Sequence, residues 1–224
     1  MRNRKRERGG SVFEFGLILT FLVPLLVGTG VMGINMIRQQ QTIQLAREAG
    51  YLYARGFDFS LPGNQTILTR IGAPIGLSAT AGQGNSEVIF TALIYVDDNE
   101  CGSQGFLNSS GVPTSACTNY NKWVFAQRLV IGNSSIRSSS TGSPLTNTPT
   151  GVTPDSVTGM IPASQYVTAA GAVANFNLVN PYHLVDGVVT GLPSKQFLYI
   201  TETAATTYAM YPYTASSTYS YGLF

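Results

Sequence analysis

Residues 8–37 read RGGSVFEFGLILTFLVPLLVGTGVMGINMI: a basic residue, two glycines, one carboxylate and then an uncharged, mostly apolar run. From Phe15 to Ile34 about twenty residues pass without a charge, enough to cross a hydrocarbon core of about 30 Å as a helix. Ahead of the run stand Arg2, Arg4, Lys5, Arg6 and Arg8 against Glu7. Basic residues before an apolar span hold that end on the cytoplasmic side. The N-terminus is therefore expected in the cytoplasm, and the rest of the chain is expected to be exported. A cleaved secretory signal is the rival reading. Its apolar core would run about 7–15 residues and end in a small-x-small site. Gly28-Thr29-Gly30 imitates such a site weakly, but the run continues through Val31, Met32 and Ile34.

Working outward, the helical pattern outlasts the membrane. Arg38 to Arg55 holds no proline and is rich in Gln, Leu, Ala, Arg and Glu, all good helix formers. Ile34, Ile37, Gln41, Leu45, Ala49, Leu52 and Tyr53 line one mostly apolar side. Gly56 suits a C-cap, and Pro62 follows. Val12 to Arg55 as one helix would be about 65 Å long, twice the bilayer core. Within the span, Gly16, Thr20, Pro24 and Gly28 recur every four residues. Small side chains in such a ridge let membrane helices approach closely. The alternatives are chance, and for Pro24 a simple kink.

Glu14 is costly at the edge of an apolar run and calls for a partner, unless it sits at the headgroup level. The string Arg8-Gly9-Gly10-Ser11-Val12-Phe13-Glu14-Phe15 resembles the class III signal of type IV prepilins. In that family a peptidase cuts after a glycine on the cytoplasmic face. Cutting after Gly9 makes Glu14 the fifth residue of the mature chain; cutting after Gly10 makes it the fourth. Cleavage would remove the basic tail and free an α-amino group with which Glu14 of a neighbouring subunit can pair, since a charge leaves water tolerably only when paired. Two glycines let the backbone extend into a protease cleft. Together with Val23-Pro24-Leu25-Leu26 and the Ala/Arg-rich stretch Gln44 to Gly56, the segment resembles the TadE-like minor pilins (pseudopilins) of tight-adherence, or Flp-type, pilus systems. That resemblance covers about the first quarter of the chain. It implies a prepilin peptidase, other pilins and a pilus assembly platform as partners.

Charged residues make up only 11% of the 224, against about 25% in an ordinary soluble domain. With 44% hydrophobic residues the chain is not intrinsically disordered. Without residues 1–8 it holds 8 basic and 10 acidic side chains. No basic stripe remains for nucleic acid. The expected organisation is a basic leader over 1–10, a long helix over 11–56 with its first half in the membrane, and an exported β-rich domain over 57–224. Glu87 to Val96 is apolar on both alternate sets and suits a central strand. Lys122 to Ile131 alternates, with Trp123, Phe125, Leu129 and Ile131 on one face and Gln127 the exception. Lys195 to Thr203 reads as a third strand, Thr206 to Thr214 and Thr218 to Phe224 as weaker ones, with Pro212 demoting the former toward an edge. The fold class is α+β: a long N-terminal helix, transmembrane then periplasmic, packed on a small, mostly antiparallel β domain.

Cys101 and Cys117 are the only cysteines. In an exported domain they are expected to form one disulfide around a turn-rich, hairpin-like loop. With the single His183 they are too few for a metal site, and no cofactor is expected. Asp97-Asp98-Asn99-Glu100 lacks EF-hand order and reads as a solvated turn. The Ser/Thr/Gly/Pro tract over 133–159 is expected to bury little and to form a surface loop or a mobile segment; its sequons permit glycosylation. Tyr199, Tyr208, Tyr211, Tyr213, Tyr219 and Tyr221 suit a packed sheet or a contact face. There is no nucleophile elbow, no Walker loop and no H-E-x-x-H. A set built from His183, Asp186 and one of many serines carries no information, so no enzyme is expected. The leading functions are a pilin-like structural subunit, or an uncleaved, single-pass anchored domain that binds a ligand or an envelope protein; an anchored hydrolase is a remote third.

Overall fold

The computed structural model describes residues 8–146, 148–176, 183–185, 188–190, 196–209 and 216–224. Most of the basic leader, Lys195, Asp186, Tyr211, Tyr213 and the greater part of the expected strand Thr206 to Thr214 lie outside the described residues.

One helix, α1, runs Arg8–Ala54 without a break, Pro24 included. It stops where Gly56 adopts φ +83°, with Gly56 N–H donating to Tyr53 O and Phe57 N–H to Leu52 O. Those two bonds satisfy carbonyls that the helix end would otherwise orphan. A second helix, α2 (Pro62–Ile71), follows at once with Pro62 in its first turn, where the missing N–H costs nothing. Pro62 therefore not only follows the stop of α1 but starts α2. The strands are β1 (Ser86–Tyr95), β2 (Trp123–Gly132), β5 (Phe197–Thr206) and β6 (Ser217–Leu223), with a separate short pair β3 (His183–Val185) and β4 (Val188–Thr190). Short helices α3 (Asp98–Ser103) and α4 (Ala163–Tyr166) lie between.

The main sheet is antiparallel throughout, in the order β2–β1–β5–β6. Central β1 is buried along nearly all its length. Phe90 stands between Leu129 and Thr201. With side chains alternating, Val88, Phe90, Ala92, Leu129, Ile131 and Ala205 face α1 and α2. They pack with Leu45, Ala49, Tyr53, Phe59 and Leu68. Phe59 stacks on Phe90 at 4.4 Å, and Tyr53 lies 5.0 Å from Phe90.

The single-face reading of β2 is corrected. Ala92 pairs with Gln127 but Leu93 with Phe125, so Ala126 bulges out. A bulge inserts one residue and reverses the alternation. Leu129 and Ile131 stay on the helix side, while Trp123 and Phe125 join a second core with Leu93, Cys101, Ile161 and Val167. The freed Ala126 carbonyl accepts from Ile161 N–H at 2.8 Å, and Arg128 N–H donates to Gly159 O at 2.9 Å. The long connection after β2 thereby covers that strand's open edge, a standard protection against edge pairing. Among the described residues 207–209 are irregular, so the strand expected from Thr206 does not extend through them.

Candidate functional site

The first half of α1 is bare. Val12, Phe13 and Phe21 are each more than 70% exposed, and Leu25 and Leu26 are 65% exposed. By length and composition this helix is able to cross a membrane, and none of its most apolar window is buried in the protein. Gly9, Gly10 and Ser11 lie within the first turns of α1. Glu14 is exposed on the same surface, and among the described residues it forms no ion pair. Gly16, Thr20, Pro24 and Gly28 follow one stripe of the helix; the first three are exposed and Gly28 is half-buried. A Cβ built on Gly16 meets nothing within 4 Å. Thr20 Oγ1 donates back to Gly16 O at 2.9 Å, so its hydroxyl is already used within the helix. A cleft of about 590 Å³ runs along this stripe beside Val12, Phe13 and Leu17.

At the top of the bare half, α1 meets the end of the β5–β6 hairpin. Tyr208 N–H donates to Asn35 Oδ1 at 2.9 Å, and Asn35 Nδ2 donates to Tyr208 O at 3.3 Å. Arg38 donates from Nη1 to Thr206 O at 2.5 Å and from Nη2 to the Tyr208 hydroxyl at 3.1 Å. Its guanidinium also lies 4.1 Å from the Tyr208 ring centroid. One turn further, the hydroxyls of Thr42 and Thr218 share a hydrogen bond of 3.0 Å. A groove of about 800 Å³ opens here, with a floor from Leu25 to Gln39 and a wall from Thr207–Tyr208 and Ser216–Tyr219. The sequence does mark this junction. Asn35 is the polar interruption in the apolar run, and Arg38 is the first charge after Glu14.

A buried charge cluster sits on the sheet face away from α1. Arg128 from β2 and Glu202 from β5 approach to 3.8 Å, at 8% and 1% side-chain exposure. Arg128 donates to Thr91 Oγ1 at 2.7 Å, to Ser139 at 3.1 Å and to Thr141 at 3.3 Å. Glu202 accepts from Ser139 Oγ, from Ser140 N–H at 2.8 Å, from Ser140 Oγ and from the Tyr219 hydroxyl. Burial alone would raise the Glu202 carboxyl. The hydrogen bonds from Ser139, Ser140 and Tyr219 more than offset it and hold the group below the ordinary value. Tyr219 is pushed up to about 12 by burial and by donating to that carboxylate. Burial lowers Arg128, against the pull of Glu202 and Glu87. Glu87 is 1% exposed, and neither carboxylate oxygen has a hydrogen-bond partner of good geometry. Burial pushes it up to about 7, although the Arg137 backbone N–H and the Arg128 charge pull the other way.

This cluster corrects the reading of 133–159 as a tract that buries little. Thr141 and Val152 are buried, and Ser139 to Thr141 strap the tract to the sheet. Hydroxyls carry no periodic signal, so sequence reading missed their role as partners of a buried ion pair. Asp97–Glu100 is corrected too. Asp97 caps α3 through Glu100 N–H, and Glu100 is buried, accepting from the Tyr166 hydroxyl at 2.9 Å. The helical turn swings Glu100 inward onto a donor 66 residues away in the chain, which local pattern does not reveal; burial and that bond raise the tyrosine. The expected disulfide is formed, Cys101 to Cys117, with both residues in the second core.

Comparison with family models, curated proteins and solved structures finds no match for this chain.

Proposed function

We propose that the chain is a minor pilin or pseudopilin: a non-enzymatic structural subunit for assembly or priming of a tight-adherence type pilus. One observation supports it above the others. A single 47-residue helix leaves its apolar first half bare and builds its second half into a folded domain. Such a helix stays in a bilayer until other helices replace the lipid. In this reading a prepilin peptidase cuts after Gly9 or Gly10. The assembly platform then draws the subunit from the inner membrane into contact with other pilins. Glu14 has no ion-pair partner within the described chain, and it pairs with the freed α-amino group of a neighbour. The Gly16–Thr20–Pro24–Gly28 stripe gives the helices close approach. The domain stands in the periplasm, or outside the cell on the pilus.

A second reading keeps the chain as an uncleaved, single-pass anchored surface binding domain. It is favoured by the start of α1 at Arg8, which puts both candidate bonds inside a helix. A peptidase needs them extended. Unwinding is eased by the two glycines, each about 1 kcal/mol poorer than alanine in a helix.

Intact mass and N-terminal sequencing, with and without the prepilin peptidase, separate the two. A new terminus at Gly10 or Ser11, lost on Gly9→Ala plus Gly10→Ala, is the expected result. An intact Met1 with active peptidase would sink the pilin reading and leave the anchored domain.

A further inference from the structure

We infer that the groove between α1 and the end of the β5–β6 hairpin seats one phospholipid from the leaflet nearest the domain. This rests on α1 crossing a membrane, which both readings above share. Taking Phe15 to Ile34 as the span, twenty residues at about 1.5 Å each fill the core, and its midplane falls near Leu25. The floor residues Leu25, Val31 and Met32 then lie at acyl-chain depth. Asn35 and Gln39 lie at headgroup depth.

The chemistry of the groove changes at the same level. Its floor is apolar where acyl chains run. Its wall is built from the polar residues Thr207, Tyr208, Ser216, Ser217 and Thr218 where headgroups sit, with the Thr207, Tyr208 and Thr218 hydroxyls bonded to Ser216, Arg38 and Thr42. Arg38 does not line the groove but stands at that level on its rim, held by Thr206 O and stacked on the wall residue Tyr208. A guanidinium has five N–H donors in a fixed fork, more than its two protein acceptors use, and it suits a phosphate. Tyrosine is enriched at membrane–water interfaces, where its amphipathic ring sits at headgroup level. About 800 Å³ is in the range of clefts that hold a drug-sized ligand, about 300–1,000 Å³, enough for a headgroup and the upper part of its acyl chains, with the remainder lying along the bare surface of α1. A second copy's helix, about 10 Å across, would also set its apolar side chains against a row of hydroxyls. The groove is continuous with the bare surface of α1, so its occupant reaches it by lateral diffusion.

The test is native mass spectrometry of the full chain released from phosphatidylglycerol nanodiscs. One phospholipid per chain is expected. Met32→Trp, which fills the floor at an exposed position, should cut the lipid-bound fraction about tenfold. Leu22→Trp, on α1 outside the groove, should leave it unchanged. In the same discs, a nitroxide deep in the acyl chains should quench the Leu22→Trp fluorescence in a Trp123→Phe background. No quenching would overturn the membrane reading itself. Quenching without retained lipid, or lipid retained equally by Met32→Trp, would overturn the groove alone. A dimeric mass that excludes lipid would replace it with a second copy.

Discussion

In the first half of α1, Phe13, Phe21, Leu25 and Leu26 are exposed; in the second half, Leu45, Ala46, Ala49 and Tyr53 are buried. The two halves share one unbroken backbone, so the hydrogen-bonded helix does not distinguish them. Their surroundings do. Below Asn35 apolar residues lie all round the helix, which suits lipid, where the backbone must satisfy itself. Above Arg38 burial recurs at Thr42, Leu45, Ala46, Ala49, Gly50 and Tyr53, while Gln44, Arg47 and Glu48 face out. That three-and-four spacing is the mark of a helix laid on a core. The change of pattern falls where Asn35 and Arg38 grip the hairpin. Substitutions on the two sides of that grip should act on different processes, and the comparison fails if they do not.

The largest contrast is expected between Tyr53→Ala and Phe21→Ala in the full chain. Tyr53 touches Phe90 and lies 4.9 Å from the Tyr199 ring, and its hydroxyl donates to Gln127 Oε1 at 2.8 Å. Truncation leaves a cavity and an acceptor without its donor, at a cost of about 4 kcal/mol. Phe21 is 72% exposed, and its loss should move domain stability by less than about 0.5 kcal/mol. Denaturant unfolding followed by Trp123 fluorescence measures both. Equal effects would mean that the two halves of α1 are not separate in function.

Sequence reading reached α1, its glycine stop, the central strand and the disulfide because each rests on local signals. An apolar period, a cap, a run buried on both faces and two lone cysteines need no partner to be seen. It missed α2, whose ten residues hold one buried side chain, Leu68. It missed the Ala126 bulge, which depends on what lies across the sheet rather than on alternation along β2. It missed the Glu87–Arg128–Glu202 cluster for the same reason. The straps Ser139 to Thr141 lie some sixty residues from Glu202 in sequence and look like any polar loop. The one available signal is an acidic residue set inside each of two otherwise uncharged strands.

That cluster gives the domain a pH dependence of its own. Facing Glu87 are Arg128 from β2, Glu202 from β5 and the Arg137 backbone from the strap. The Glu87 carboxyl is raised from 4.5 to about 7. Its favourable contribution is therefore complete below its unfolded value and is lost as pH rises through about 7. Glu202 is lowered, so its contribution is present above its unfolded value and is lost as pH falls. Stability should peak near pH 5 and drop by roughly 2 kcal/mol toward pH 8. Glu87→Gln should flatten the alkaline limb and keep the acid one. An alkaline limb unchanged in that variant would assign it to another group.

The smallest effect tests how closely the upper half of α1 sits on the sheet. Gly50 is buried, and a Cβ built on it would lie 2.0 Å from the Phe224 ring. Gly222 on β6 also lies close, with a Cβ 2.6 Å from the same ring. Phe224 is thus seated between two glycines while its backbone pairs with Tyr199 in both directions. Alanine is ordinarily better than glycine inside a helix by about 1 kcal/mol. At Gly50 the gain should be reversed, because the ring must move and part of its packing is lost. The atom in the way belongs to the end of a side chain, so the net loss should stay near 1 kcal/mol. Gly33→Ala, where a Cβ meets nothing within 4 Å, should show no such loss. Unfolding of the two variants side by side measures the difference. A stabilised Gly50→Ala would mean that Phe224 is not held against α1, and that the helix and β6 are packed less tightly than their two glycines imply.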